Sequence, residues 1–284
     1  MSILNEKNKQ PLFSVLIANY NNGKYLEETL NSIYNQTYEN WEIIIVDDCS
    51  SDNSKEIYKA VENDKRIRIF YNNKNKGAGY AKKRCADEAN GEICGFLDPD
   101  DTLANNALSK MVELHTENPD YSLIHSKSYL CDENMKITRE YPVARNVDPH
   151  NLLFFNLDGA ITHFSTFKKD FYNKTQGIDI YLQRAVDQDL YLKLYDIGKT
   201  LFWDEALYYY RIHEGGISTT QNARKAYYWA WVVVFSSARR RGINLESTFF
   251  DYFTPKHEFD HIADKYKKYR KIDKAMDKIK SLFS

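Results

Sequence analysis

The sequence predicts an α/β fold with a mixed, mostly parallel sheet flanked by helices and a helical extension at the C-terminus. Short apolar runs of strand character alternate with stretches of helical spacing over the first hundred residues. Each of these runs ends in a polar loop. Because strand–helix–strand units are right-handed, the loops should meet at one edge of the sheet. We therefore expect functional residues at the carboxyl ends of the strands.

Four strands with three intervening helices account for this alternation. The predicted strands are 12–18, 41–46, 67–70 and 93–97. Apolar residues at helical spacing predict helices over 24–36, about 52–61 and 77–89. The polar loops that follow the strands are 19–23, 47–51, 72–77 and 98–101.

The alternation lapses after residue 102. The elements predicted there are a helix to about 116, a strand over 121–130, a helix over 148–157, a strand over 161–167, a helix over 186–197 and a strand over 201–210. From about residue 220 the chain predicts two helices, separated near 242–255. We therefore expect a domain over 1–220 that holds the sheet, and a helical extension over 221–284.

Composition excludes several function classes. With 39 Lys plus Arg against 40 Asp plus Glu, no global field favours nucleic acid as a partner. The four cysteines are widely spaced, which indicates neither a zinc knuckle nor a disulfide framework and fits a reducing cytosol. We find no signal-peptide pattern and no run near the ~18 apolar residues of a spanning helix. We expect a cytoplasmic protein.

Peripheral contact with the inner face of a membrane is an additional expectation. The helix over 226–241 carries Trp229 and Trp231 and ends in three arginines. A packing helix is the simpler interpretation of this pattern. Aromatic and basic residues on one helix are also typical of segments that lie at a membrane surface.

The most distinctive stretch is 93–102, in which an apolar run leads directly into Asp98-Pro99-Asp100-Asp101-Thr102. Three carboxylates within four residues repel one another and persist most easily beside a cation. Hard oxygen ligands at a strand end suit Mg²⁺ or Mn²⁺ carrying a phosphate-bearing substrate. The alternative is a solvated acidic turn that caps a helix beginning near Thr102.

Six short motifs follow one another between residues 11 and 220. They are Ser-Val-Leu-Ile-Ala-Asn-Tyr-Asn (14–21), Ile-Val-Asp-Asp-Cys-Ser-Ser-Asp (45–52), Asn-Lys-Gly (75–77), Phe-Leu-Asp-Pro-Asp-Asp (96–101), the helix over 187–194 and Tyr-Arg-Ile-His (210–213). In this order they resemble the family 2 glycosyltransferases, inverting enzymes with the GT-A nucleotide-sugar-binding fold. The resemblance implies transfer of a sugar from a nucleotide-diphosphate donor, expected to be a UDP-sugar, to a hydroxyl acceptor. That acceptor would be a glycan, a lipid-linked molecule or another hydroxyl compound in glycan or polysaccharide biosynthesis.

Residues at the first two strand ends and on the third crossover helix are the predicted nucleotide contacts. A carboxylate can accept the imide N–H of uracil, so Asp47 or Asp48 is expected to read the base, while one of them could instead cap the next helix. Ala18 would supply backbone contacts and Tyr20 a stacking face, and the alternative for Tyr20 is a core residue. Lys82 stands where the family usually has Arg, and an ammonium attracts phosphate without the bidentate fork. A solvated helix charge is the alternative for Lys82.

The resemblance also assigns the acidic stretch. Asp98 would meet the ribose or sugar side of the donor, and Asp100 would bind the metal, Mn²⁺ or Mg²⁺, that bridges the two phosphates. Such a cation offsets the charge that grows as the glycosidic bond breaks. Asp101 is expected to orient a neighbour or cap a helix. His213 is a further candidate metal or phosphate contact, and Arg211 beside it a candidate donor contact.

Inversion requires one in-line displacement, for which a single carboxylate can take the proton of the acceptor hydroxyl. Asp187 occupies the place of the aspartate in the family's Glu-Asp pair, and Val186 replaces the glutamate. Asp189 is the competing candidate, and a helix-terminal charge without catalytic task is the alternative for both. Lys225 stands where processive synthases carry Trp, which favours transfer of one sugar or a few.

Two other interpretations use the same residues. Asp98 to Thr102 also fits the D-x-D-x-T signature of haloacid-dehalogenase-type phosphatases. Those enzymes carry it on their first strand, whereas three strand–helix units precede it here. A non-catalytic nucleotide-sugar or glycan-binding module of the same fold is the second alternative, and Val186 and Lys82 are the departures that would suit it.

Overall fold

A computed structural model describes residues 10–216 and 222–246 of the 284-residue chain. Its strands are β1 (Phe13–Asn19), β2 (Trp41–Asp47), β3 (Ile67–Tyr71), β4 (Ile93–Phe96), β5 (Thr102–Leu103), β6 (Tyr121–Cys131), β7 (Ile137–Glu140), β8 (Ser165–Lys168) and β9 (Lys199–Arg211). Its helices are α1 (Gly23–Tyr34), α2 (Ser54–Val61), α3 (Ala78–Glu88), α4 (Ala107–Glu117), α5 (Lys169–Lys174), α6 (Val186–Tyr195) and α7 (Ala223–Arg240).

The described strands form one mixed sheet, in the order β3-β2-β1-β4-β8-β6-β9-β5, with β7 paired to β6. The half made of β3, β2, β1 and β4 is parallel. Strand β8 is antiparallel to both β4 and β6, whereas β6 and β9 are parallel. The predicted α/β class and mixed sheet are confirmed. The carboxyl ends of β1, β2 and β4 lie side by side.

Apolar residues on both faces bury the central strands. Val15 and Ile17 of β1 face one hydrophobic cluster, to which α1 and α4 contribute, and Leu16 faces the other, to which α3 and α6 contribute. Successive residues of a strand point to opposite faces. Near-continuous apolar strands such as β1 and β2 are therefore typical of a sheet covered on both sides.

The predicted helix over 148–157 is wrong, because that segment forms turns and irregular chain. The Asp148 carboxylate accepts a hydrogen bond from the backbone N–H of His150 at 2.9 Å, and the Asn151 amide oxygen accepts one from Leu153 N–H at 3.0 Å. Such local side-chain acceptors compete with helical hydrogen bonds. Leu152 and Leu153 are exposed, so their spacing does not mark a buried face.

The helix expected to begin near Thr102 begins later. Thr102 pairs with Tyr209 as part of the short strand β5, and α4 starts at Ala107. The acidic stretch therefore does not cap a helix at Thr102. It occupies the connection between β4 and β5.

Helix α7 confirms the first of the two C-terminal helices, and the second lies outside the described residues. The chain divides into two compact units, Met1–Ser237 and Ala238–Ser284. The division after residue 220 remains a prediction. None of the helices described here is long and apolar enough to cross a membrane.

All four cysteines carry free thiols. Cys49 is exposed, immediately after Asp48, whereas Cys85, Cys94 and Cys131 are buried. Burial raises the pKa of the Cys85 and Cys94 thiols to about 12.

Candidate active site

Lys82 contacts two of the predicted site carboxylates at the edge of the sheet formed by the carboxyl ends of its parallel strands. Its ammonium Nζ lies 2.7 Å and 3.0 Å from the two Asp187 oxygens and 3.0 Å from Asp98 Oδ1. The Lys82 side chain is 8% exposed, whereas those of Asp98 and Asp187 are 28% and 26% exposed. The lysine is therefore a buried cation whose two partners remain open to a ligand, and it is not the solvated helix charge of the alternative interpretation.

The charges of this cluster stabilise one another. Burial alone would lower the pKa of Lys82, but the Asp187 and Asp98 carboxylates outweigh burial and raise this pKa. Burial alone would raise the pKa of Asp98, but the Lys82 ammonium lowers it below its usual value. Both groups are therefore ionised at neutral pH.

Helix α6 separates the two candidate bases. Asp189 is buried, and its carboxylate accepts a hydrogen bond from Lys193 Nζ at 2.6 Å and one from Asp179 N–H at 3.3 Å. Asp187 lies two residues earlier and meets Lys82 at the sheet edge. This difference in access favours Asp187 over Asp189, and the catalytic role of Asp187 remains a prediction.

Asp100 and His213 meet across the loop that follows β9. The imidazole Nε2 lies 2.8 Å from Asp100 Oδ2, and both side chains are partly accessible. The Tyr25 ring packs against the imidazole with centroids 4.9 Å apart. The structure thus brings together the two predicted metal ligands, which lie 113 residues apart in sequence.

Arg211 connects the acidic stretch to two other segments through hydrogen bonds of its guanidinium. Its guanidinium donates from Nε to the Asp100 carbonyl at 2.6 Å, from one terminal nitrogen to the Glu133 carbonyl at 2.5 Å, and from the other to the Glu28 carboxylate at 2.6 Å. Each guanidinium nitrogen therefore donates to a protein acceptor, and the side chain is buried. This geometry gives Arg211 a positioning role, and a direct contact with a donor remains a prediction.

Asp101 orients its neighbours, as the sequence predicted. Its carboxylate accepts from Tyr208 O–H at 2.6 Å and from the Arg211 backbone N–H at 2.7 Å, and the Tyr208 hydroxyl accepts from the Asp98 N–H at 3.2 Å. Burial, together with the charges of Asp100 and Asp98, raises the pKa of Asp101 well above its usual value. Asp101 therefore links β9 to both of the partly accessible aspartates, Asp98 and Asp100.

Asp47, at the end of β2, is part of a buried polar network. Its carboxylate accepts from the Ser50 N–H at 2.8 Å and from Tyr58 O–H at 2.9 Å, and Asn19 Nδ2 lies at 3.4 Å. The residue is buried. These contacts give Asp47 a structural role, and its contact with a base remains a prediction.

Asp48 ties the loop after β3 to the end of β2. Its carboxylate accepts from the backbone N–H groups of Lys76 at 3.0 Å and Gly77 at 2.7 Å, and from Asn72 Nδ2 at 2.7 Å. Its side chain therefore lies between the second and third predicted loops. Asp48 is as buried as Asp47, at 3% against 1% exposed, so burial does not choose between the two candidates, and the base contact remains a prediction.

The end of β1 carries two of the predicted nucleotide contacts, whose roles remain predictions. Ala18 is half-buried and pairs with Val46 of β2. Tyr20 follows the strand and is 46% exposed, so its ring is accessible for stacking.

His163 is a site residue that the sequence interpretation missed. It forms with Asp98 and Asp187 a group whose possible metal-ligand atoms all lie within 4.8 Å of one another. Its ring stacks on those of Tyr208 and Tyr210, at centroid distances of 5.1 Å and 6.1 Å. The available signal was a lone histidine inside the apolar run over 161–167.

Two positions could therefore hold a divalent cation. At the first, between Asp98 and Asp187, the Lys82 ammonium already pairs with both carboxylates, so a metal ion would meet a like charge. The second, at Asp100 and His213, offers one carboxylate oxygen and one imidazole nitrogen. This donor set suits Mn²⁺ better than Mg²⁺, which prefers oxygen ligands throughout.

Comparisons of the sequence with a family model and with curated relatives both identify glycosyltransferases. The family model for glycosyl transferase family 2 matches residues 14–175. The glycosyltransferase GlyG of Streptococcus pneumoniae is 30% identical over 225 residues, which cover 74% of each chain. The matched segments span only 26–64% of the lengths of the first four curated relatives.

Solved structures share the fold. The Staphylococcus aureus TarS fragment in complex with UDP superimposes with a TM-score of 0.64 at 19% identity, covering 86% of this chain and 73% of that chain. The mannosyltransferase PcManGT of Pyrobaculum calidifontis, in complex with GDP-Man and Mn²⁺, gives 0.56 at 18% identity, covering 83% and 76%. At these identities the likeness establishes the fold, which is the predicted GT-A type.

Proposed function

Because the chain belongs to glycosyl transferase family 2, we propose that it transfers a sugar, with inversion, from a UDP-sugar to a hydroxyl acceptor. The observation that carries this proposal is the cluster of Lys82, Asp98 and Asp187, a buried cation with two accessible carboxylates at the edge where β1, β2 and β4 end. A sugar transferase needs both a phosphate-attracting cation and a base within reach of the same substrate.

The donor nucleotide would lie along the ends of β1 and β2. Tyr20 offers an exposed ring for stacking, and Asp47 or Asp48 a carboxylate that can accept an imide N–H. Uracil has such an N–H group and cytosine does not. Guanine offers one too, and because PcManGT was solved with GDP-Man, GDP-sugars belong in the test.

Asp100 and His213 would hold Mn²⁺ against the diphosphate. Mn²⁺, when bound, offsets the negative charge that develops on the departing nucleoside diphosphate. Arg211 fixes the Asp100 backbone carbonyl, and Asp101 fixes the backbone of Arg211. The protein therefore supplies a preorganised loop.

Asp187 would act as the base. Its carboxylate would take the proton of the acceptor hydroxyl while that oxygen forms a bond to the anomeric carbon. The bond from the anomeric carbon to the diphosphate breaks in the same displacement, and UDP leaves with the electron pair. Attack from the face opposite the leaving group inverts the anomeric configuration. The acceptor would be a glycan or lipid-linked hydroxyl compound.

The test is nucleotide release from a panel of UDP- and GDP-sugars in the presence of Mn²⁺. We expect slow, saturable UDP release from at least one UDP-sugar, because water can replace the acceptor. Asp100→Ala should abolish the response to Mn²⁺, and Asp120→Ala, a change at an exposed aspartate immediately before β6, serves as the matched control. Binding of UDP without turnover of any donor would favour the non-catalytic module, and turnover of GDP-sugars alone would overturn the UDP assignment.

A further inference from the structure

We propose that Lys82 couples donor binding to the release of the base: its ammonium holds both Asp187 oxygens until a nucleoside diphosphate displaces one of these contacts. This inference rests on the proposed function, since it assigns a positioning role within that site. It concerns a contact between α3 and α6 that joins residues 105 positions apart.

The Lys82 ammonium lies close to three carboxylate oxygens, and the two oxygens of Asp187 are too near each other to take separate N–H groups, so they share one. An ammonium has three donors, and Nζ lies within 3.0 Å of Asp187 Oδ1, Asp187 Oδ2 and Asp98 Oδ1. A phosphate oxygen that draws this ammonium towards itself turns the shared N–H away from one of the two Asp187 oxygens. Because Asp187 uses two oxygens, losing one contact frees that oxygen for an acceptor while the other keeps the carboxylate oriented.

The backbone around the pair is held firmly. The Gly79 N–H donates to the Leu182 carbonyl at 2.9 Å. A Cβ at position 79 would lie 2.5 Å from the Asp179 carbonyl oxygen and 2.6 Å from that of Leu182, so only glycine permits this approach. The first turn of α3 is thereby fixed against the segment that leads into α6. Exchange of contacts at Nζ is consequently a motion of the side chain.

A lysine suits such an exchange better than an arginine. Its ammonium is a compact charge on a flexible four-carbon stem, whereas the guanidinium fork fixes the direction of its donors. The Phe96 ring lies 5.1 Å from Nζ and supports the cation from the side of the sheet. The presence of lysine at position 82 thus has a physical consequence at the base.

The test is a double-mutant cycle on UDP affinity, measured by calorimetry with Mn²⁺ present. The four proteins are the wild type, Asp187→Asn, Lys82→Met and the double variant. Asp187→Asn should bind UDP about three- to tenfold more tightly, because it frees the ammonium for phosphate. In the Lys82→Met background the same change should give a clearly smaller gain, since only the removal of a negative charge then acts.

Equal gains in the two backgrounds would overturn the coupling, as would a loss of affinity in folded Asp187→Asn. Asp189→Asn is the matched control and should leave UDP affinity unchanged. Thermal unfolding reports whether each variant folds, and Asp187→Ser replaces Asp187→Asn if the latter does not. A wild-type protein that binds neither UDP nor GDP would instead refute the proposed function. The two failures are therefore distinguishable.

Discussion

Two aspartates of α6 each pair with a lysine, one in the interior of the fold and one at the carboxyl ends of the parallel strands. We call these positions the interior and the edge. Asp187 and Asp189 are two residues apart, about 200° around the helix, so they face opposite directions. Asp189 pairs with Lys193 within α6, and both side chains are at most 7% exposed. Asp187 pairs with Lys82 from a distant helix and is 26% exposed. A carboxylate becomes available for chemistry only when a substrate can reach it.

The largest effect is expected on the turnover number when Asp187, the aspartate at the edge, is changed. Asp187→Asn should lower the turnover number for transfer by about a thousandfold, because the amide cannot take the hydroxyl proton. UDP binding should persist, as measured by calorimetry. Asp189→Asn should keep the turnover number per folded molecule within a few-fold. The opposite ranking of these two variants in a transfer assay would exchange the roles that we assign to the two pairs.

The interior pair should dominate stability. Lys193→Met leaves the Asp189 carboxylate buried without its cation and should lower the free energy of unfolding by about 3–5 kcal/mol in urea denaturation. Lys82→Met should cost less, because Asp98 and Asp187 are partly solvated. The double change Asp189→Leu with Lys193→Met should restore much of the lost stability, since no buried charge remains. Equal costs for the two lysine variants would remove the distinction between edge and interior.

Lowering the pH should decrease the free energy of unfolding through two buried histidines. Burial lowers the pKa of His115 and of His125 to about 3, from an ordinary value of 6.5. The unfolded chain therefore binds these protons first, and stability is lost as pH falls from 6.5 towards 3. Each histidine should contribute a loss of about 1.4 kcal/mol per pH unit. His115→Asn should show a shallower dependence of the unfolding free energy on pH between 6.5 and 5, and an unchanged slope would contradict the prediction.

The smallest effect is expected at the open end of β1. Tyr20→Ala should weaken UDP binding by about 1 kcal/mol through the loss of base stacking, measured by calorimetry. Tyr20→Phe retains the ring and should bind normally. Because Tyr20 is 46% exposed, its removal should change the unfolding free energy by less than about 0.5 kcal/mol. A large loss of stability would place Tyr20 with the interior residues instead.

The sequence anticipated elements whose signals are local. The four strands β1 to β4 follow from apolar runs, and the loops that hold Asp48, Asp98 and Asp100 follow from the strand ends. The helix over 148–157 was mispredicted because two side chains there satisfy nearby backbone N–H groups. Apolar spacing carries no information on that competition.

Contacts between residues that are distant in sequence could not be predicted from local patterns. Lys82 was expected near phosphate, but its pairing with Asp187 depends on the close approach of Gly79 to the segment before α6. His163 gave no periodic signal, and only the pairing of β8 with β4 and β6 brings its segment to the site. Likewise, the burial of Arg211 follows from acceptors on three separate segments.

The arrangement of the thiols allows a fluorescent label to be placed next to the proposed nucleotide contacts. Cys49 is exposed beside Asp48, while burial and raised pKa values protect Cys85 and Cys94 from alkylation in the native state. A maleimide fluorophore should therefore attach at Cys49 in the unmutated protein. Its emission would follow nucleotide arrival in real time, and slow labelling of the remaining thiols would count excursions to the unfolded state.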